Sequence, residues 1–362
     1  MVASAVMPDA LQEALKGRKL ASARAAVKAN PEAARHPKYA NCAAQAVFLP
    51  GLELLHRNGA DLNGSYRNYR PLHNVIQAEP HAVSDSKDDA ARIECLNWLL
   101  EHGADPEQLG AWPAARAVII AAFGGKPEFV KILRAHGAVI DGFAAAALGD
   151  LKLLEKTLCA DPAFVHARDH GVLTALQCAA GSRIPRAKLI EAATMLIDAG
   201  ADIAAKTKSY AHEVDAIYFA ASAKNLPMFQ LLLDHGADPT SALTPALWNG
   251  TLEFAALAFD RGAQPDRATT ERKPLLNHLI CWGQISQTMW LLDRGASPNV
   301  PDPDAGWTAT HQAASRGNAR MMRAVLDAGG DIARRDKKGY TPRDIARLAG
   351  RGKLVEMMSA NQ

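Results

Sequence analysis

The chain has 362 residues, 48% of them apolar, with 41 basic against 38 acidic side chains and a net charge of +3. That balance excludes the strongly basic character of a dedicated nucleic-acid or membrane-surface binder. The five cysteines (Cys42, Cys95, Cys159, Cys178, Cys281) are odd in number and widely spaced, without a C-x-x-C, which points to reduced thiols in the cytosol rather than a disulfide framework.

Met1–Pro8 has neither the basic start nor the apolar core of a signal peptide. The longest apolar run, 111–125, contains Pro113 and Arg116 and is too short to span a bilayer. Asp9–Pro31 predicts two short helices broken near Gly17, with Arg18, Lys19, Arg24 and Lys28 on polar faces. From Tyr39 onward one helix ending recurs. LLHRNGADL carries Gly59, LLEHGADPE Gly103, LRAHGAVID Gly137, LIDAGADIA Gly200, LLDHGADPT Gly236, LAFDRGAQP Gly262, LLDRGASPN Gly295 and VLDAGGDIA Gly329. Successive glycines are 44, 34, 63, 36, 26, 33 and 34 residues apart, so the period is near 33 and one copy is hidden in the gap of 63. A fixed period of that size is the mark of a repeat array, here of about 11 units.

The unit has a physical logic. Leu231, Leu232 and Leu233 close an amphipathic helix, Gly236 accepts positive φ at its end, and Asp238 and Pro239 turn the chain away. RPLHNVI (Arg70–Ile76) opens the third unit, and the stretch Glu79–Asp89 is expected to bulge out as an inserted loop. The fourth unit runs from Trp112. Phe143–Pro162 is the hidden copy, with Ala160, Asp161 and Pro162 in place of GAD. The sixth starts at Thr174 and carries a short insertion at Arg183–Arg186. A polar loop, Lys206–Glu213, precedes the seventh, DAIYFAASAKN (Asp215–Asn225). The eighth, SALTPALWNG (Ser241–Gly250), is short, its hairpin nearly absent, and PLLNHLICWG (Pro274–Gly283) is the ninth. TATHQAASRG (Thr308–Gly317) marks the tenth, and GYTPRDIARLAGRGK opens the last, where Thr341 is a good N-cap and Pro342 suits the first helical turn.

These residues, in the pattern G-x-TPLHxAAxxG followed by a second helix and LLxxGAD, resemble the ankyrin repeat over nearly the whole chain. The resemblance implies an all-α ankyrin-repeat solenoid of about 11 helix-turn-helix units with short hairpin or loop connections. It would form a single domain, 1–362, with a degenerate capping unit at 9–38, inner units over 39–335 and a C-terminal cap at 336–362. It also implies a non-enzymatic scaffold that binds another protein on its concave face, as a monomer in the cytoplasm, with no membrane contact. Carried onto matching positions, the partner-binding residues are Trp307 and Tyr340 at hairpin tips and Phe123, Ser222, Trp248, Asn249, Trp282 and Arg316 at first-helix ends. No catalytic, cofactor or metal site is expected, and nucleic acid is not the expected partner.

His73 and His311 stand at the TPLH histidine, which the resemblance makes a link between neighbouring hairpins. His102, His136 and His235 precede helix-ending glycines, where they can bond the last carbonyls. An alternative reading places a small-molecule or enzymatic pocket around Trp248, His278, Cys281 and Trp282, with His278 and Cys281 three residues apart on one helix. A further one lets the loops 79–89 and 206–213 choose the partner. Asp331–Lys353 carries Arg334, Arg335, Lys337, Lys338, Arg343, Arg347, Arg351 and Lys353 against three acids, a solvated cap or a surface for an acidic partner.

Overall fold

The structure is a computed structural model that describes residues 9–77, 86–185, 187–209, 212–267, 269–270 and 273–359. The chain folds as two compact units, Met1–Asp202 and Ile203–Gln362. Helices follow one another in pairs. The first unit holds α1 (Ala10–Lys16) with α2 (Leu20–Ala29), α3 (Pro37–Gln45) with α4 (Leu49–Arg57), and α5 (Pro71–Gln77) with α6 (Ser86–Glu101). It continues with α7 (Ala117–Phe123) and α8 (Pro127–Ala135), α9 (Gly142–Leu148) and α10 (Leu151–Ala160), and α11 (Ala175–Gly181) and α12 (Leu189–Asp198). The second unit holds α13 (Ala216–Ala223) with α14 (Leu226–Asp234), α15 (Leu243–Trp248) with α16 (Leu252–Asp260), and α17 (Leu275–Cys281) with α18 (Ile285–Leu292). It ends with α19 (Ala309–Arg316) and α20 (Ala319–Asp327), then α21 (Pro342–Leu348) and α22 (Gly352–Ser359). Three two-stranded antiparallel ladders join some pairs: β1 (Arg168–Asp169) with β2 (Leu173–Thr174), β3 (Thr207–Ser209) with β4 (His212–Val214), and β5 (Thr269–Thr270) with β6 (Lys273–Pro274).

Each pair is built by division of labour. First helices are small and apolar: in α7, AVIIAAF, every residue from Ala117 to Ala122 is buried, and successive first helices α3, α5, α7, α9 and α11 pack on one another. Second helices are amphipathic, as in α20, which buries Met321, Met322 and Val325 and exposes Arg320 and Arg323. The eight glycines that set the period all sit at φ between 83 and 94°. A methyl group on Gly236 would meet nothing within 4 Å, so the requirement there is the left-handed backbone and not space. The glycine-free copy keeps both helices, α9 and α10, and ends at Asp161, whose side chain accepts from the Ala163 N–H to start a 3-10 turn.

Polar side chains bond each pair to the next. His73 Nε2 bonds the Ala115 carbonyl at 3.0 Å and His311 Nε2 the Tyr340 carbonyl at 3.2 Å, the link expected of the TPLH position. The same place is held by asparagine elsewhere: Asn41 donates to the Gly64 carbonyl and Asn277 to that of Trp307. His102, His136 and His235 each engage the carbonyl four residues back, at 2.8 to 3.0 Å. The largest buried polar cluster centres on Arg116, 1% exposed. Its guanidinium donates to Asp141, Asp169, Glu107 and the Val139 carbonyl, tying three consecutive pairs together.

Two loop expectations change. Of the inserted stretch Glu79–Asp89, residues 79–85 lie outside the described residues. Residues 86–89 are helical, the start of α6, where Asp89 receives Lys126 Nζ at 2.9 Å and Arg92 at 3.4 Å; the two cations hold the acid in a first turn, where a carboxylate is favoured. Of the polar loop Lys206–Glu213, residues 210–211 lie outside the described residues, while Thr207–Ser209 pairs antiparallel with His212–Val214, Thr207 opposite Val214. The eighth unit does lack a hairpin, since a 3-10 turn, Pro239–Ala242, runs straight into α15.

Arg116→Ala leaves Asp169, 4% exposed, without its counter-charge; a loss of about 3–5 kcal/mol in urea unfolding is expected. Burial pushes the His73 imidazole down to about 4. Below its ordinary pKa near 6.5 the unfolded chain therefore binds a proton that the folded chain refuses until about pH 4. Stability should fall as pH drops through that window, by up to about 1.4 kcal/mol per pH unit. His73→Leu should flatten this part of the profile, and an unchanged slope would contradict the assignment.

Candidate partner-binding surface

In the Ile203–Gln362 unit, first helices end in turns that start from a left-handed residue: Lys224 at φ 57°, Gly250 at 68°, Gly283 at 73°, Gly317 at 82° and Gly350 at 68°. The residues just before these turns are the sequence-derived positions, and the structure exposes them to different degrees. Trp248, the last residue of α15, is 49% exposed, and Trp282, just beyond α17, is 39% exposed. Their ring centroids are 4.1 Å apart at 71°, an edge-to-face pair that joins the two helix ends. Beneath them His278 is buried, its ring 4.5 Å from Trp282. Asn249 is exposed beside Trp248, Arg316 is exposed at the end of α19, and Ser222 is half-buried at the end of α13. The chain terminates these helices cleanly, with the Gly250 and Thr251 N–H groups bonding the Leu247 and Ala246 carbonyls, and those of Gly283 and Gln284 bonding Ile280 and Leu279.

The two tip residues behave differently. Trp307 is half-buried, stacks over His311 with centroids 6.3 Å apart, and donates its indole N–H to Asp336 at 3.0 Å. Burial alone would raise the Asp336 carboxyl; the Tyr340 N–H, the Trp307 indole and the Lys338 N–H together hold it below the usual carboxylate range. Tyr340 is 42% exposed while its backbone is pinned by Asp336 and His311. Among the described residues Trp307 makes no ring contact with Trp248 or Trp282.

Phe123 belongs to the Met1–Asp202 unit and is half-buried. Its ring covers Gly181, where a methyl group would meet Phe123 Cε1 at 2.7 Å. The chain after α11 then doubles back over the ends of α7 and α9. The Arg183 N–H donates to the Ala122 carbonyl at 2.9 Å, and methyl groups on Gly125 and Gly149 would meet the Arg183 carbonyl at 2.8 Å and the Lys188 nitrogen at 2.5 Å. The short insertion of the sixth unit thus covers helix ends that stay open at Gly283 and Gly350, where a methyl group would meet nothing within 4 Å.

Sequence reasoning missed Asn277 and Trp112, and it placed Arg351 only within the basic stretch of the last unit. Asn277 bonds the Trp307 carbonyl and could have been found by counting six residues back from the left-handed glycine, as for His311. Arg351 lies across Gly317, its Nε 2.6 Å from where a methyl group would stand. Trp112, 36% exposed, stands on the turn closed by the Gly110–Ala115 bridge in the first unit. All five cysteines are free thiols; Cys281 is half-buried, and burial raises the Cys42, Cys95 and Cys178 thiols. No group of three His, Cys, Asp or Glu side chains suited to a metal occurs among the described residues, and none of their helices is long and apolar enough to cross a membrane.

A family profile described as ankyrin repeats (many copies) matches residues 291–346. Human diacylglycerol kinase iota is 31% identical over 90 residues, 24% of this chain and 8% of that protein. Rat ankyrin repeat and SAM domain-containing protein 6 is 36% identical over 66 residues, 18% of this chain and 8% of that protein. Human ankyrin repeat and KH domain-containing protein 1 is 36% identical over 104 residues, 28% of this chain and 4% of that protein. The chain therefore spans less than a tenth of the length of these curated relatives, and the shared part is the repeat. Helix pairs closed by left-handed glycines at a fixed period, TPLH-position side chains that bond the next turn, and these matches point the same way: residues 291–346 match the ankyrin repeat, and the same helix-pair pattern recurs along the described chain.

Proposed function

We propose that the chain is a non-catalytic scaffold that binds another protein through the row of first-helix ends in the Ile203–Gln362 unit, on the concave face in the terms of the family. The observation that carries this reading is the Trp248–Trp282 pair, two tryptophans in mutual contact yet 49% and 39% exposed. Holding so much aromatic surface in water is unfavourable unless something covers it, and tryptophans at the centre of a contact patch are the usual anchors of protein interfaces. Asn249, Ser222, Arg316 and Tyr340 form the surrounding rim, while Trp307 supports the turn that carries Tyr340. Phe123 serves packing, because the chain itself covers that helix end. An enclosed site for a small molecule would bury its ligand on most sides; two rings this open to solvent favour a broad partner. The protein acts as a monomer in a reducing compartment, consistent with five unpaired thiols.

Affinity capture from native extract tests this with the double variant Trp248→Ala/Trp282→Ala, chosen because Trp307→Ala would also break the Asp336 bond. Loss of at least about 2 kcal/mol of binding free energy, roughly thirtyfold in Kd, is expected of the double variant. Phe123→Ala should lower the urea midpoint and leave capture intact. Full retention of the partner by the tryptophan variant would end this assignment.

A further inference from the structure

The five turns that end the first helices of the Ile203–Gln362 unit, residues 222–225, 248–251, 281–284, 315–318 and 348–351, contain no aspartate or glutamate. They contain three cations, Lys224, Arg316 and Arg351, and the exposed tryptophan pair. Arg316 and Arg351 are exposed, and neither is engaged by a carboxylate among the described residues. Arg351 is laid across Gly317, directly beside Arg316, with its Nε 2.6 Å from the position of a methyl group on that glycine. The Arg351 side chain thus crosses the turn that Arg316 precedes, so two exposed arginines belong to one turn. Apart from Arg316 and Arg351, residues 309–362 carry nine basic side chains against five acidic, so the field around the pair is positive as well.

Resting on the reading of this row as a protein-binding surface, we propose that its ligand is an acidic peptide with a single apolar anchor. The anchor lodges in the corner between Trp248 and Trp282, and carboxylates on one side of it pair with Arg316 and Arg351. Spacing supports the match. Neighbouring helices lie about 8–10 Å apart and an extended chain advances about 3.3 Å per residue, so the acids stand about three residues from the anchor. Guanidinium groups suit this role because they grip carboxylates in a two-pronged fork. Ring geometry separates peptide from single-stranded RNA. Base stacking needs open aromatic faces along a track, whereas the two indoles stand at 71° and close a corner on each other.

Random dodecapeptides displayed on phage would be selected on the immobilised full-length chain, and the enriched peptides measured by fluorescence anisotropy. Enriched sequences should carry Asp or Glu about three positions from an apolar residue. Their affinity should drop at least about tenfold in Arg316→Glu/Arg351→Glu, and more than about tenfold between roughly 50 and 500 mM salt. Peptides with the acids changed to Lys should bind that variant better than they bind the wild type. Both substitutions are on exposed side chains, and an unchanged urea midpoint verifies the fold. Peptides that need the tryptophan pair but are neutral or basic, or that ignore the charge reversal, overturn the acidic ligand and leave the binding row standing. Peptides whose binding survives Trp248→Ala/Trp282→Ala overturn both. Failure of any peptide to enrich, or tighter binding of a uridine dodecamer than of every acidic peptide, also overturns the proposal.

Discussion

Everything in this chain follows from the shortness of its helices. Most run six to ten residues, below the length at which a helix holds itself together in water. A single pair cannot bury its apolar stripe, so it persists only while the next pair lies against it. Alanine-rich first helices such as α9, GFAAAAL, let neighbouring backbones approach, and all four of its alanines are buried. That close approach brings buried polar groups of adjacent pairs together and obliges them to bond. His73, Asn41, Asn277 and His311 are the regular solution, one side chain reaching one carbonyl in the next turn.

Arg116 is the irregular solution. A fully buried guanidinium is tolerable only with its donors occupied, and its ion pairs with Asp141, Asp169 and Glu107 meet that condition. Burial raises the Asp169 carboxyl above the ordinary range despite the arginine beside it, a sign that desolvation is not fully repaid by the Coulomb attraction. Such a cluster adds less to net stability than to alignment: three consecutive pairs must be in register for the fork to close.

The period, the helix ends and the hidden fifth copy were legible because the backbone itself requires them. Left-handed φ at Gly236 and its counterparts leaves a residue-type signature that no neighbour has to explain. The histidines before those glycines were equally readable, since their partner lies four residues away in the same helix. The site was only half legible. Trp248 and Trp282 follow from counting back from a glycine, but whether an aromatic ring is free depends on what lies above it. Phe123 occupies an equivalent place and lies against Gly181, while the Arg183 backbone lies against Gly125 two residues on; both come from a unit two repeats later. Trp307 reads as an exposed tip residue until Asp336, 29 residues on, takes its indole N–H. Position in the repeat was local information; exposure was not.

That distinction also explains why the two halves of the chain offer different surfaces. In the Met1–Asp202 unit the insertion after α11 lies over the ends of α7 and α9, so part of that row meets its own chain. The Ile203–Gln362 unit has no such insertion at its first-helix ends. Its eighth repeat is shortened instead, the hairpin replaced by the 3-10 turn at Pro239–Ala242. The two tryptophans brace the ends of α15 and α17 against each other. Mutual contact restricts both rings, which leaves less side-chain entropy to lose wherever such a pair is covered. The same contact that steadies the repeat therefore prepares the surface: an aromatic pair that packs on itself edge to face still leaves one face of the corner to water.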